Sequence, residues 1–206
     1  MTLPDMQALH DAADATWPAH LLDILPGGPA AETQAKPAQP SVRLRAEHDA
    51  AAPVSLYVLP LVDLQMDQPA PTASFHIWEP LAIQIEVWAA GGIGPDYIAL
   101  MRRAPVPKTA LLGRREGHAV ATGFAAIHDG IAMVHALEVM PAHRGHGTAR
   151  ALMLEAARWA APLGALHIAT ACSDANGAAR ALCASVGLRT TGRYHAPRPF
   201  GEAENT

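Results

Sequence analysis

Apolar residues recur along this chain in two rhythms, and the changes from one to the other mark out its elements. Between Pro4 and His20, Met6, Leu9, Ala12, Ala13 and Trp17 return every three to four residues, which predicts a short amphipathic helix. Val54 to Leu59 reads as a strand that stops at Pro60, and Phe75 to Trp78 as a second, short one. Leu81, Ile83, Ile85, Val87 and Trp88 fit a helix or an apolar strand; their extent and the Gly91-Gly92 stop favour a helix. Asp96 to Arg103 reads as another helix, ended by Pro105 and Pro107. Three strands follow: Thr109 to Arg114, Ala119 to Ile127 and Ile131 to Met140. Glu116-Gly117 turns the first into the second, and Asp129-Gly130, a strong hairpin signal, joins the second to the third. A long helix then runs to about Ala161, with Pro162 and Gly164 as its stop, and Ile168 to Cys172 forms a strand. Asp174 or Asn176 can cap a helix through Ser185 that Gly187 ends, and a last strand covers Leu188 to Tyr194. From Glu79 onward the order is ααβββαβαβ. This predicts an α+β fold with a mixed, mostly antiparallel central sheet flanked by helices.

Proline punctuates the other part of the chain. Pro26, Pro29, Pro37, Pro40 and Pro53, with Gly27-Gly28, break any regular element from Leu25 to Pro53, and Pro69 and Pro71 do so between Asp67 and Thr72. Two parts are therefore expected. Residues 1–78 form a Pro-rich N-terminal extension or reduced half-domain without a chemical motif, and residues 79–206 carry the regular pattern. A length of 206 residues agrees with one domain, or one and part of a second.

Composition narrows the class. Half the residues are hydrophobic and only 5% aromatic, so Ala, Leu, Val and Ile must build the core. The mean hydropathy is +0.09, yet no run approaches the ~18 apolar residues of a spanning helix. Met1-Thr2-Leu3-Pro4-Asp5 lacks the basic start and apolar stretch of a signal peptide. A soluble, cytoplasmic protein is expected, without membrane contact. Fifteen Lys+Arg against nineteen Asp+Glu leave a net charge of −4, which provides no electrostatic footprint for nucleic acid. Cys172 and Cys183 make neither a disulfide framework nor a CxxC pair, and the eleven histidines are scattered without an HExxH, so no metal is expected.

Chemistry concentrates at Arg144-Gly145-His146-Gly147-Thr148-Ala149, between a strand and the long helix. Such a turn aims backbone N–H groups and the positive end of the helix at one point, a site for phosphate or pyrophosphate. Gly147 lets a ligand approach the backbone, and Ala149 lets the helix start without crowding it. There is no Gly-Lys-Ser/Thr ending and no GxGxxG in a βαβ unit, which excludes the P-loop and the dinucleotide fold. Taken alone, a glycine turn more often binds nothing.

Its surroundings reverse that expectation. The turn resembles the R/Q-x-x-G-x-G/A signature of the GNAT superfamily of acyl-CoA-dependent N-acetyltransferases. Leu137-Glu138-Val139-Met140-Pro141 resembles the family's L-x-V-x-P strand end. Asn176 to Leu188 resembles its N-x-x-A-x-x-L-Y-x-x-x-G-F helix. The blocks stand in the family's order and span about residues 80–195. The resemblance implies acetyl-CoA as co-substrate and a site that can be carried over by residue. The backbone of Leu137, Glu138 and Val139 would hold the pantetheine arm and acetyl group. Backbone N–H groups from Arg144, Gly145, His146, Gly147, Thr148 and Ala149 would hold the pyrophosphate. Asn176 would face the pantetheine, and Ala179 would pack near it.

Two departures bear on catalysis. Cys183 stands where many members carry a tyrosine that protonates the leaving thiolate; a thiol near pKa ~8.5 can donate a proton, although a buried Cys is commonly a small hydrophobe. Ala171 stands where some peptide-N-terminal enzymes keep a glutamate. His135-Ala-Leu-Glu-Val139 resembles the His-Ala-Leu-x-Val segment of arylalkylamine acetyltransferases, with Met133 in place of their first histidine. Strand alternation puts Met133, His135, Leu137 and Val139 on one face, which makes His135 a candidate base, the alternative being a satisfied core histidine. Glu138 then points to the opposite face, solvated or salt-bridged. His143 and His146 read as exposed neighbours of the cofactor, and the four tryptophans as core or interface residues.

The expected function is N-acetyl transfer from acetyl-CoA to a primary amine, a small molecule or a peptide N-terminus, in a ternary complex. The alternative is an acyl-CoA-binding sensor or partner module that has lost catalysis. A homodimer is a candidate assembly. The acceptor cleft would draw on Trp88 to Tyr97 and Arg193 to Pro199, whose mixed polarity names no substrate.

Overall fold

Asp129 and Gly130, at φ 45° and 75°, close the turn between β4 (His118–His128) and β5 (Ile131–Val139). Positive φ at both central positions is what a tight hairpin of this twist requires. Glu116 and Gly117, at φ 51° and 83°, do the same between β3 (Lys108–Arg115) and β4. The computed structural model describes residues 2–17, 53–65, 73–104 and 106–194. The proline-rich stretch from Leu25 to Pro53 lies almost wholly outside them, as do the loop from Asp67 to Thr72 and the segment from His195 to Pro199.

Around this meander the sheet grows to seven strands. β2 (Ala73–Ile77) joins antiparallel to β3 as one edge, and β6 (His167–Ser173) joins parallel to β5. Beyond β6 lie β1 (Val54–Pro60) and β7 (Arg189–Tyr194), both antiparallel, so the order is β2-β3-β4-β5-β6-β1-β7. This is the mixed, mostly antiparallel α+β sheet that the pattern predicts. β1 lies inside the sheet, in register from Val54 opposite Ser173 to Pro60 opposite His167. Only Tyr57 in it is not fully buried, which explains its nearly continuous apolar run. Pro60 comes at the end of the ladder, where a missing N–H costs least.

Helices cover both faces. α4 (Thr148–Ala160) and α5 (Gly177–Val186) lie on one, their Leu152, Met153, Leu182 and Val186 packing with Leu111, Val134, Leu137 and Ile168 of the sheet. α1 (Met6–Thr16), α2 (Ala82–Ala90) and α3 (Pro95–Arg103) lie on the other. Leu9, Ala12 and Ala13 of α1 meet Val54, Leu56, Val58 and Met133; Trp88, Ile98 and Met101 of α2 and α3 meet Ala110, Phe124 and Ala126. Glu155 of α4 holds the edge strand β2, accepting from Ser74 Oγ at 3.1 Å and lying 2.8 Å from His76 Nδ1. α1, β1 and β2, all ahead of Glu79, thus pack onto or into the one sheet. No helix among the described residues is long and apolar enough to cross a membrane.

Candidate active site

The pairing of β5 with β6 ends before either strand does, which leaves a fork in the sheet. Their pairing runs from Ile131–His167 to Val134–Thr170 and stops there, although β5 continues to Val139 and β6 to Ser173. At the fork the Thr170 hydroxyl donates to the Val134 carbonyl at 2.9 Å, so that carbonyl stays satisfied as the strands separate.

Within the fork β5 changes its own alternation. Opposite β4 its register steps from Thr122–Glu138 to Phe124–His135, which gives β5 one extra residue, a β-bulge. Ala136 sits in it at φ 49°, a left-handed conformation that costs an alanine about 1–2 kcal/mol. The buried Ala136 carbonyl accepts from the equally buried Trp88 indole, Nε1 to O 2.7 Å. The expectation that His135 shares a face with Leu137 and Val139 is corrected by this bulge. Leu137 and Val139 pack toward α4 with Leu152 and Met153. His135 lies on the other face, among residues of α1 and β4, and Glu138 lies under Gly91 at the end of α2.

His135 is almost completely buried. Trp17 stacks on its ring at 5.2 Å between centroids, Phe124 lies tilted at 6.3 Å, and the Thr16 hydroxyl lies 2.8 Å from Nε2. Trp17 stacks in turn on Tyr97 of α3 at 6.1 Å. Burial pushes the His135 pKa down from 6.5 to about 3, so the imidazole is neutral at pH 7. Glu138 is buried and salt-bridged rather than solvated: Arg144 Nη2 donates to its Oε1 at 3.1 Å, and Arg144 Nε donates to the Val139 carbonyl at 2.9 Å. A carboxylate is tolerated at such depth only with a close cationic partner. The same arginine fastens the glycine turn to the end of β5.

That turn passes through a 3-10 segment (Pro141–His143) to Gly145 and Gly147, at φ 77° and 78°. Only glycine adopts this conformation freely. Gly147 is the N-cap of α4, with no side-chain hydrogen bond to the cap. Gly145, His146 and Gly147 are exposed and His143 is half-buried, while Thr148 is buried against Gly113 of β3. Backbone N–H groups of a first helical turn lack intrahelical acceptors, so an open, positively polarised rim faces the mouth of the fork, held from beneath.

On the far side of the fork α5 packs against α4. Asn176 caps α5, its Oδ1 accepting from the Ala179 N–H at 3.0 Å, and Ala179 is buried. Cys183 is buried in the same core as Cys172. Its hydrogen bond with Cys172 and its burial push the Cys183 thiol pKa well up, making it a weaker acid than an ordinary cysteine. Among the described residues no group of three or more His, Cys, Asp or Glu is placed to hold a metal ion.

The sequence model of the Acetyltransferase (GNAT) family matches residues 76–188, more than half of the chain and every part of the fork and turn. The chain belongs to the GNAT acetyltransferase family. Solved GNAT structures share the fold. A putative acetyltransferase of the family from Novosphingobium aromaticivorans is 18% identical over 85% of this chain and 76% of its own, with a TM-score of 0.52. A tandem GNAT protein from the clavulanic acid biosynthesis pathway is 14% identical over 79% of this chain and 59% of its own, with a TM-score of 0.55. An acetyltransferase from Colwellia psychrerythraea is 20% identical over 69% of this chain and 54% of its own, with a TM-score of 0.54. This chain thus spans little more than half the length of the last two. No curated protein sequence matches it. Acyl-CoA-dependent acyl transfer is the general chemistry of the GNAT family, with acetyl- or another acyl-CoA as co-substrate.

Within this GNAT fold, His135 and Leu137 to Val139 stand on β5, with His135 on the opposite face from Leu137 and Val139, and Arg144 to Ala149 lie in the turn that follows; Asn176, Ala179 and Cys183 stand at the cap and in the body of α5. Sequence reasoning missed the groups that surround His135. Thr16 ends α1 and Trp17 caps it, while Trp88, Tyr97 and Gly91 come from α2, α3 and the turn between them. No motif announces them. The only available signal is that aromatics are scarce in this chain, yet several meet at this place.

Proposed function

We propose that this GNAT protein transfers the acetyl group of acetyl-CoA to a primary amine, of a small molecule or a peptide N-terminus, by direct attack in a ternary complex. The observation that carries the reading is the fork between β5 and β6 with the open glycine turn at its mouth. In this reading the backbone of Leu137 to Val139 holds the pantetheine and acetyl group, the N–H groups of Gly145 to Ala149 hold the pyrophosphate, and Asn176 and Ala179 line the α5 side. A backbone N–H near Val139 stabilises the oxyanion. The amine enters neutral, its nitrogen attacks the thioester carbon, and the carbon–sulfur bond breaks as CoA leaves. His135 accepts the amine proton. A base of such low proton affinity does not strip an ammonium ion; it takes the proton only as the attacking nitrogen becomes cationic and acidic. Residues 79–206 form the transferase domain, and the extension 1–78 supplies β1 and β2 to its sheet and α1 to one of its faces.

Calorimetric titration with acetyl-CoA and a free-thiol release assay over amines, aminoglycosides and N-terminal peptides test the proposal. His135→Ala is expected to lower turnover and change its pH dependence, with acetyl-CoA affinity nearly intact. Unchanged turnover across pH removes His135 from the mechanism. The second reading, an acyl-CoA-binding module without catalysis, is favoured by the weakly acidic Cys183 where a tyrosine is usual. Binding without thiol release with any amine decides for it.

A further inference from the structure

We infer that Thr16, at the end of α1, is a positioning residue that holds His135 in its Nε2–H tautomer and leaves Nδ1 as the ring's only lone pair. A count of protons leads to this. The Thr16 hydroxyl oxygen lies 2.5 Å from the Ala12 carbonyl oxygen, 3.3 Å from that of Ala13, and 2.8 Å from His135 Nε2. A carbonyl has no proton to give, and two oxygens 2.5 Å apart without a proton between them repel. The single hydroxyl proton of Thr16 therefore points to Ala12. What the hydroxyl has left for His135 is a lone pair, so the ring must donate from Nε2.

The opposite tautomer would set the Nε2 lone pair against that of Thr16 at 2.8 Å in a buried site, repelling it and leaving Nε2 without a hydrogen bond. A doubly protonated ring is disfavoured by burial: among the described residues, Trp17, just after α1, and Phe124 of β4 pack on it. Trp17 covers a face of the ring, so a hydrogen-bonding group must meet Nδ1 near the ring plane. Thr16 lies well ahead of residues 76–188, the part matched by the family. A helix outside the family's segment thus decides which nitrogen of the candidate base can take a proton. The catalytic consequence rests on the reading of His135 as proton acceptor; the tautomer itself does not.

Long-range 1H–15N NMR of the full chain labelled with 15N-histidine reads the tautomer directly, with His135→Gln identifying the resonances. The expected wild-type pattern is a protonated Nε2 and a bare Nδ1. Thr16→Val, which removes the oxygen but keeps the shape, should draw the two nitrogen shifts together as the single tautomer is lost, and Thr16→Ser should restore the pattern. Acetyl transfer by Thr16→Val should fall on the order of tenfold in kcat with KM for acetyl-CoA unchanged. A wild-type spectrum with the proton on Nδ1 overturns the inference whether or not any variant folds, and so does a Thr16→Val spectrum identical to wild type. A tautomer that follows Thr16 while His135→Ala turns over normally upholds the inference and removes His135 from the proposed reaction.

Discussion

Acidification should destabilise this protein through His135 in particular. The ring is buried and neutral, with a folded-state pKa of about 3 against 6.5 for the free side chain. Above pH 6.5 neither the folded nor the unfolded chain binds a proton there, and the full stability is present. Below 6.5 the unfolded chain takes up a proton that the folded chain refuses until about pH 3, so stability falls across that window as pH falls. At about 1.4 kcal/mol per pH unit, the loss is about 2 kcal/mol at pH 5 and approaches about 5 kcal/mol near pH 3. Against a total of roughly 5–15 kcal/mol for a typical domain, this is a substantial share. Urea unfolding followed by tryptophan fluorescence between pH 7.5 and 4.5, on wild type and His135→Gln, isolates the effect. Carboxylates that titrate in the same range contribute to both proteins and subtract out. Lost packing shifts the variant by an amount independent of pH. The wild-type-minus-variant difference should therefore shrink by about 2 kcal/mol between pH 7 and pH 5. Parallel pH profiles would refute the argument that burial holds His135 neutral.

Other parts of the site give equally direct tests. Gly147→Ala places a Cβ at φ 78° and should cost about 1–2 kcal/mol of stability, together with at least a tenfold loss of acetyl-CoA affinity by calorimetry; unchanged affinity would separate the turn from the cofactor. Trp88→Phe keeps a ring but strands the Ala136 carbonyl, which should cost about 1–3 kcal/mol in urea unfolding, and a variant as stable as wild type would show that the indole does not hold the bulge. A Cβ at Gly91 would lie 2.6 Å from Glu138 Cδ, so Gly91→Ala should displace the carboxylate from Arg144 and destabilise by about 1–3 kcal/mol; the reasoning fails if the thermal midpoint does not move.

What the sequence disclosed and what it hid follow one physical division. The Asp129-Gly130 hairpin and the Gly145–Gly147 turn were legible because their positive φ angles call for particular residues at particular places. The bulge at Ala136 was not, because an alanine in a left-handed conformation leaves no compositional mark. Alternation extended across it therefore put His135 on the wrong face. The contact of Thr16 with His135 spans 119 residues, and periodicity identifies a helix face without naming the face it meets. In the same way Val54 to Pro60 declares itself a strand but does not declare its neighbours.

Those neighbours have a consequence for how the chain reaches this state. β1 pairs with β6 and β7, and the Ser55–Asp174 hydrogen bond that accompanies the pairing also spans 119 residues. Made well before β6 and β7, this apolar segment has no strand to join until they have emerged from the ribosome. Contacts of such high sequence separation slow folding, because closure entropy must be met before pairing repays it. Meanwhile Leu56, Val58 and Leu59 stay open to other chains, the circumstance in which nascent proteins aggregate or engage chaperones. Once paired, β1 fastens the first half of the chain to the last strands, so a cut anywhere between them leaves two pieces that still share one sheet.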